Sequence, residues 1–592
     1  MEAVAKTKPR GAGGADEESL RVFREYIEAR VWTRHYDEGV PAEVEVPEVP
    51  LCRFLDDSVR GFPGRAALVF YGRRVSYREL GEAVDRFARA LRDRWGVGPG
   101  DVVALFLPNT PQFVIAYYGA LKAGATVTPV NPLYTGYELA RQLRKSGARV
   151  LVALDLFHEK VANAIEEHGA EPEAVIYTGV DEYLPRAKAL LYRLAGRKPR
   201  LRLRAGRDHL LPRVLRGSEP RAPEVEIDPR RDVAALMFTG GTTGVPKGTM
   251  LTHYNLVANV LQIDAWWQRG RKGKDVMVGV LPWFHIYGQT AVLHTGIYRA
   301  ATILVYPRFE LERILRDIDK YKANIFHGVP TIYSKILALG EEKLRRYSLR
   351  SLEVCISGAG ALPRAVAEGF EKLTGAKLRE GYGLTEASPV THINPIYGEA
   401  RPGSIGLPVP STLAAIAHPE EPRLLPPGEV GELVVSGPQV MKGYIDEEAN
   451  RKVFFECCGR RWLRTGDMAR MDEDGYFYIV DRKKDIIKYK GYSVYPREVE
   501  EVLYRHPCVQ DAAVIGVPDP RVGERVKAFV APKPGCEDKL TPEEVLEHAR
   551  RHLAPYKVPK EVEIRKELPK SAVGKILRRV LREEELRKRG LA

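Results

Sequence analysis

Long apolar runs are missing from this 592-residue chain. The longest are of the kind VVALFLP at 102–108, far short of the roughly 18 consecutive apolar residues that suggest a membrane-spanning helix. Paired cysteines are missing as well. Cys52, Cys355, Cys457, Cys458, Cys508 and Cys536 are scattered without a C-x-x-C, which argues against a thiolate-held metal or a redox pair. The opening MEAVAKTKPRGAGGADEESL lacks the apolar core of a secretion signal. Residues 1–30 are therefore expected to be a disordered tail, and the cytoplasm the compartment. There is no acidic excess either: Lys and Arg outnumber Asp and Glu by 92 to 78, a net charge of +14. That balance leaves nucleic acid, anionic lipid and anionic small molecules as candidate partners. Asn and Gln are few against abundant Arg and Glu, a composition that fits a heat-adapted source.

What is present is globular in composition, with 44% hydrophobic and 29% charged residues, and too long for a single core. Between about 65 and 180 short β-rich runs (AALVFY, DVVALFL, ATVTPV, ARVLVAL, AVIYTG) alternate with helical periodicity such as YRELGEAVDRFARALRDRW. A second such set follows Asp232, with VAALMF, ATILVYP, ANIFHG and LEVCISG. Both predict parallel α/β layers. From 403 to 480 Gly- and Pro-bounded segments such as GELVVSG and GYFYIV predict a small antiparallel, barrel-like β unit. Beyond the cluster DRKKDIIKYKG at 481–491, SVYPREVEEVLYRHPCVQDAAVIGV and RVKAFVAP predict a compact α+β piece. The expected division is a large domain over 31–482 and a small mobile one over 483–592. Inside the first, the Arg-rich stretch 185–221 reads as a solvated basic linker or, with Leu190, Leu191 and Leu194 among its cations, as a basic amphipathic helix lying on an anionic membrane.

The segment MFTGGTTGVPKGTMLTH at 237–253 carries the first chemical signal. The run 234–238 predicts a strand, and Thr252 a helix cap for HYNLVANVLQIDAWW. A glycine-rich turn between strand and helix offers backbone N–H groups to a polyphosphate; Thr239, Thr242 and Thr243 add hydroxyls and Lys247 a point charge. On its own such a loop also fits an ordinary mobile turn. It is not a P-loop, because Pro246 precedes Lys247 and Gly248 follows it, where that motif needs glycine before the lysine and Ser or Thr after it.

TGGTTGVPKG resembles the signature of the adenylate-forming superfamily of acyl-CoA synthetases, luciferases and peptide-synthetase adenylation domains. Further matches follow in the family's order: LPWFHIYG at 281–288, SGAGALP at 357–363, EGYGLTEASP at 380–389, RTGDMARMDEDGYFYIVDRKKDIIKYKGYSVYPREVE at 464–500 and PKSAVGKILRR at 569–579. The doubled glycine in the loop, GSIGLPVPST at 403–412 and PKSAVGKILRR look most like bacterial-type long-chain fatty-acid–CoA ligases.

The resemblance implies a reaction in two halves, acyl-AMP formation from ATP and then thioester formation with coenzyme A. It implies ATP, magnesium, coenzyme A and a fatty acid as ligands, and no nucleic acid. It places Thr239, Gly240, Gly241, Thr242, Thr243, Gly244 and Lys247 at the phosphates. Glu386 falls at magnesium together with Thr239, and Thr385 beside it towards the phosphate. Tyr382 falls on adenine, lined by Gly358, Ala359 and Gly360, with Glu380, Gly381 and Gly383 of the neighbouring motif. Asp467 would accept from the ribose hydroxyls, assisted by Arg482. His285 stands at the acyl carboxylate, and Trp266, Trp267 and Gly360 at the acyl pocket, although plain core packing accounts equally for the tryptophans. Lys575 matches the lysine that bridges carboxylate and α-phosphate, Lys488 the one presented for the thioester step, and Lys484 the hinge. Lys490 and Gly491 mark where the pantetheine arm passes. An amino-acid substrate would want an acid near His285, which LPWFHIYG lacks. An aryl acid remains the alternative substrate, and an inactive lipid-surface binding protein the alternative of another class. Peripheral contact with the inner membrane face and a homodimer stay open.

Overall fold

The computed structural model describes residues 16–239, 247–490, 492–571 and 574–590. They form two compact units. One comprises His35–Ser411, Gly437–Glu447 and Leu568–Ala592; the other comprises Thr412–Ser436 and Glu448–Glu567 with the residues up to Arg34. The chain thus passes between the units after Arg34, Ser411, Ser436, Glu447 and Glu567.

The first unit carries two large mixed sheets, the two α/β layers expected. Eight strands run in the order Gly443–Tyr444, Lys247–Thr252, Val233–Thr239, Thr126–Pro129, Val102–Phe106, Ala148–Leu154, Ala174–Thr178 and Asp208–Leu210. From Val233–Thr239 onward their pairing is parallel. Nine strands form the other sheet, whose parallel centre joins Lys377–Gly383, Val354–Ser357, Ile325–Gly328, Val276–Gly279, Thr302–Val305 and Ala66–Phe70. The last of these corrects the grouping read from the sequence. AALVFY is the first member of the first set of runs, yet Leu68 pairs with Ile303 in the second sheet. Apolar periodicity reports that a strand exists, not which strand it pairs with.

Local signals place the helices between these strands. Tyr77–Trp95 begins at a capping box in which Ser76 and Glu79 satisfy each other's backbone and ends on Gly96 at φ 60°. It buries Leu80, Val84, Phe87 and Leu91, the apolar stripe at helical spacing. The second unit holds a six-stranded antiparallel sheet over 413–482 and a five-stranded one with the helices Pro496–Tyr504 and Pro542–His552. Within the latter Cys508 and Cys536, read as two of six scattered thiols, form a disulfide.

Two expectations change. The tail foreseen over 1–30 is ordered from Asp16, whose carboxylate caps the helix Glu17–Val22, because Ser19 and Val22 are buried and the Ser19 hydroxyl accepts from the Leu424 amide. The basic stretch is a folded excursion rather than a bare linker. Arg186–Leu194 is a helix, and Asp208–Leu210 adds an edge strand beside Ala174–Thr178. Among the described residues no helix is long and apolar enough to cross a membrane.

Four histidines sit inside the first unit: His253, His294, His327 and His392. Burial holds their pKa values down to about 4, 3, 4 and 3. In the unfolded chain an imidazole titrates near 6.5. Above that pH neither state binds the proton. As the pH falls through 6.5 towards 4 the unfolded chain takes up protons that the native state refuses, so stability drops. Urea midpoints measured at pH 7.5, 6 and 5 are expected to fall progressively, and His294→Gln to flatten the fall. Midpoints level over this range would show that these rings are not held neutral.

Candidate active site

The site gathers at the C-terminal ends of parallel strands, where open α/β sheets bind their ligands. Val233–Thr239 and Lys247–Thr252 pair antiparallel with Thr239 opposite Lys247. The stretch after the glycine-rich segment is therefore a second strand rather than the start of the helix; the helix His253–Trp266 follows that strand, capped as expected by Thr252. Gly240, Gly241, Thr242, Thr243 and Gly244 lie outside the described residues, as does Gly491.

Beyond the hairpin, Gly443–Tyr444 pairs with the second strand, Tyr444 opposite Thr249. This brings in a residue that sequence reasoning missed. The buried Tyr444 hydroxyl donates to Glu386 Oε1 at 2.7 Å, and Lys247 Nζ lies 4.9 Å from the Tyr444 ring centroid. Burial, and then the Glu386 carboxylate, push the phenol pKa up, so the ring stays a donor. Glu386 itself sits on the single turn Thr385–Ala387, fixed at its carbonyl by the Met441 amide at 2.8 Å. One tyrosine thus ties the expected phosphate lysine to the expected magnesium carboxylate. Its sequence signal, YIDEE in a polar surface-like context, gives no hint of this.

Tyr382 stands half-buried near the end of Lys377–Gly383, paired across the ladder with His392, their rings 5.9 Å apart. Glu380 turns inward and accepts from the Leu362 amide at 3.0 Å, bracing the 358–362 loop. In that loop Ala359 has φ 63°, and a Cβ on Gly358 would meet Tyr287 Cε1 at 2.9 Å, so the glycine lets the tyrosine ring close against the backbone. Gly360 is open, its nearest neighbour Pro330.

Lys575 comes to the same place from the far end of the chain. Residues 569–577 fold back on themselves through Ser571 N–H to Lys575 O at 2.8 Å and Leu577 N–H to Pro569 O at 2.8 Å. Gly574, at φ 78°, lets this turn approach Thr331, since a Cβ there would meet Thr331 Oγ1 at 2.8 Å. Burial first, and then the Lys575 charge, hold the His285 pKa down to about 4. His285 accepts from the Tyr287 amide at Nδ1, which leaves the neutral ring's proton on Nε2. A neutral imidazole donor and an ammonium whose charge it feels thus lie in the same region, a combination suited to an anion.

Other expected residues lie in the second unit. Asp467 and Arg482 face each other across the ladder, Arg482 Nε 3.6 Å from Asp467. Lys484 is exposed in the turn Lys483–Asp485. Lys488 bonds Ser493 Oγ at 2.8 Å, and Lys490, at φ 51°, donates its amide to Val522. The two tryptophans are packed shut. Trp266 donates to Asn394 O and meets the edge of Tyr36, while Arg299 covers the Trp267 ring at 4.7 Å.

Two layered α/β sheets with a smaller α+β piece, and a site at the strand ends, define the fold of adenylate-forming enzymes. The chain belongs to the AMP-binding enzyme family, whose model matches 55–445, with the AMP-binding enzyme C-terminal domain over 498–575. It is 45% identical over 558 residues to a long-chain-fatty-acid–CoA ligase of Bacillus subtilis (strain 168), covering 94% of this chain and 98% of that protein. Its structure is similar to ATP-bound MatB from Rhodopseudomonas palustris, with a TM-score of 0.77, 29% identity, and 91% and 99% of the two chains covered. It is also similar to the anthranilate CoA ligase AuaEII in complex with anthranoyl-AMP, with a TM-score of 0.79, 27% identity, and 93% and 99% covered.

The Tyr444 hydroxyl generates the test of this site. A hydrogen bond to a charged group is worth about 1.5–3 kcal/mol, so Tyr444→Phe is expected to slow ATP-dependent pyrophosphate release by roughly 10- to 100-fold without moving the thermal midpoint much. Unchanged release in Tyr444→Phe would mean that the carboxylate holds its position without the phenol.

Proposed function

We propose that the protein joins a medium- or long-chain fatty acid to coenzyme A through an acyl adenylate, releasing AMP and pyrophosphate. The observation that carries this reading is the turn bearing Lys575 beside neutral His285. In the first half-reaction the substrate carboxylate attacks the α-phosphorus of ATP and negative charge gathers on phosphoryl oxygens. Lys575 and the Nε2–H of His285 are the groups suited to hold carboxylate and α-phosphate together, and Lys247 to meet the outer phosphates. Tyr382 supplies a face for adenine, and Asp467 a carboxylate for the ribose diol. Among the described residues no cluster of three or more His, Cys, Asp or Glu could hold a metal alone. Glu386 fits a magnesium ion that takes its remaining ligands from phosphate and water, and such an ion would neutralise phosphate charge. In the second half-reaction Lys488, on the other unit, is the lysine proposed to serve the thioester step, with Lys484 as hinge and Lys490 and Gly491 along the pantetheine arm. The 45% identity with a long-chain-fatty-acid–CoA ligase supports a long acyl chain, and the similarity to an anthranilate ligase supports the aryl alternative more weakly.

Each buried methylene is worth about 0.8 kcal/mol, so pyrophosphate release across unbranched acids from acetate to palmitate is expected to rise by several powers of ten up to at least eight carbons. Lys575→Ala should lose roughly 10²–10³ in release at every length yet still convert supplied acyl-AMP and coenzyme A. Equal turnover of acetate or of a cinnamate-like acid would remove the long-chain reading.

The same substrate suggests peripheral contact with an anionic membrane. The helix Arg186–Leu194 exposes Leu190, Leu191 and Leu194 at 58%, 65% and 74%, flanked by exposed Arg186, Lys188, Arg197 and Arg200, a pattern that suits an interfacial helix. Sedimentation with anionic vesicles is expected at low salt, with release as salt rises and loss in Leu190→Glu/Leu194→Glu. Equal sedimentation with neutral vesicles would leave the stretch as a basic surface segment.

A further inference from the structure

A second concave site lies in the first unit, at the N-terminal ends of three parallel strands, whereas the candidate adenylation site gathers at C-terminal strand ends. A cavity of 620 Å³ opens at the N-terminal ends of Ala66–Phe70, Val276–Gly279 and Thr302–Val305. Its volume is in the range of small-molecule pockets. Five cationic side chains line it: Arg65, Arg74, Lys274, Lys320 and Lys322. No carboxylate does. The cations come from four separate segments, so this is no local charge run of the chain but a convergence that the fold produces.

Their partners show how the charge is disposed. Lys322 is paired with Asp319 at 2.8 Å. Arg65 is pinned by two backbone carbonyls, donating to Ala300 O at 2.9 Å and Asp275 O at 2.7 Å. The Asp275 carboxylate is taken by Arg299 at 2.9 Å. Arg74 and Lys320 share the ring of Tyr321, at 5.9 and 5.1 Å from its centroid. Among the described residues no salt bridge joins Arg65, Arg74, Lys274 or Lys320 to a carboxylate. Like charges gathered on one concave wall raise a positive potential that is relieved by an anion, and several cations favour an anion carrying several charges. Phe62 and Tyr321 give the same pocket aromatic surface, which suits a planar ring.

We propose that this pocket is a second ligand site, for a phosphorylated small molecule carrying two or more phosphate charges, and that it is separate from the adenylation site. The shared chemistry is a multivalent phosphate, whether it arrives free in solution or as a lipid headgroup. The proposal does not rest on the acyl substrate.

The test uses the full-length protein and two probes: inorganic tripolyphosphate followed by calorimetry, and sedimentation with vesicles containing phosphatidic acid. Lys274→Ala/Lys320→Ala removes two exposed cations of the pocket, and Lys247→Ala serves as the control in the adenylation site. Tripolyphosphate binding at least tenfold weaker in the pocket variant, with one class of binding surviving in Lys247→Ala, is the expected result for a free phosphate ligand. Weakening confined to the vesicle arm assigns the same site to a headgroup. Pyrophosphate release by the pocket variant at saturating substrates should match the unaltered protein. Should that variant fold poorly, Arg74→Gln carries the same comparison. Binding of both probes unchanged in the pocket variants, or all tripolyphosphate binding lost in Lys247→Ala, overturns the proposal.

Discussion

The hydrogen bond from Tyr444 to Glu386 fixes the relation between three stretches of chain that have no local reason to meet. One is the strand that begins at Lys247, another the single turn Thr385–Ala387, the third the two-residue strand Gly443–Tyr444. The strand is too short to define a position by ladder bonds alone. Its phenol does so by donating to the Glu386 carboxylate while its ring lies 4.9 Å from Lys247 Nζ.

Much of the architecture was legible in the sequence because it is written locally. The strands at 102–106, 126–129, 148–154 and 174–178 sit where β-rich runs predicted them, and Thr252 caps its helix. Partnership was not legible, because it is decided by contacts far apart in sequence. AALVFY joined the other sheet, and the stretch from Lys247 to Thr252, read as part of the turn into the helix, is a strand paired antiparallel with Val233–Thr239. Glu386 and Lys575 were visible only through family motifs. Tyr444 was invisible, since a two-residue strand has no periodicity and its partner lies 58 positions away. For the tryptophans the sequence left lining and plain packing equally open, because a large apolar ring serves either, and in the structure Trp266 meets Tyr36 and Asn394 while Arg299 covers Trp267.

The basic excess was legible as a number and not as a place. The fold distributes it unevenly. Arg193 and Lys198 neutralise the buried Asp181, and Arg204 neutralises Asp208, so part of the Arg-rich stretch is internal bookkeeping of charge. Elsewhere cations gather without carboxylates, at the wall formed by Arg65, Arg74, Lys274 and Lys320. Net charge counts both kinds alike, and only the second kind can act on a partner.

The five passages of the chain between the two units set a limit on how the molecule can be divided. Neither unit is a contiguous piece of the gene. A cut after Ser411 leaves the eight-stranded sheet without Gly443–Tyr444 and the large unit without Lys575, while a cut after Glu447 strands Thr412–Ser436 from the sheet partners that lie beyond it. A ribosome therefore releases no finished unit until it has nearly completed the whole chain. Any attempt to exchange parts between relatives would have to graft at several joints at once.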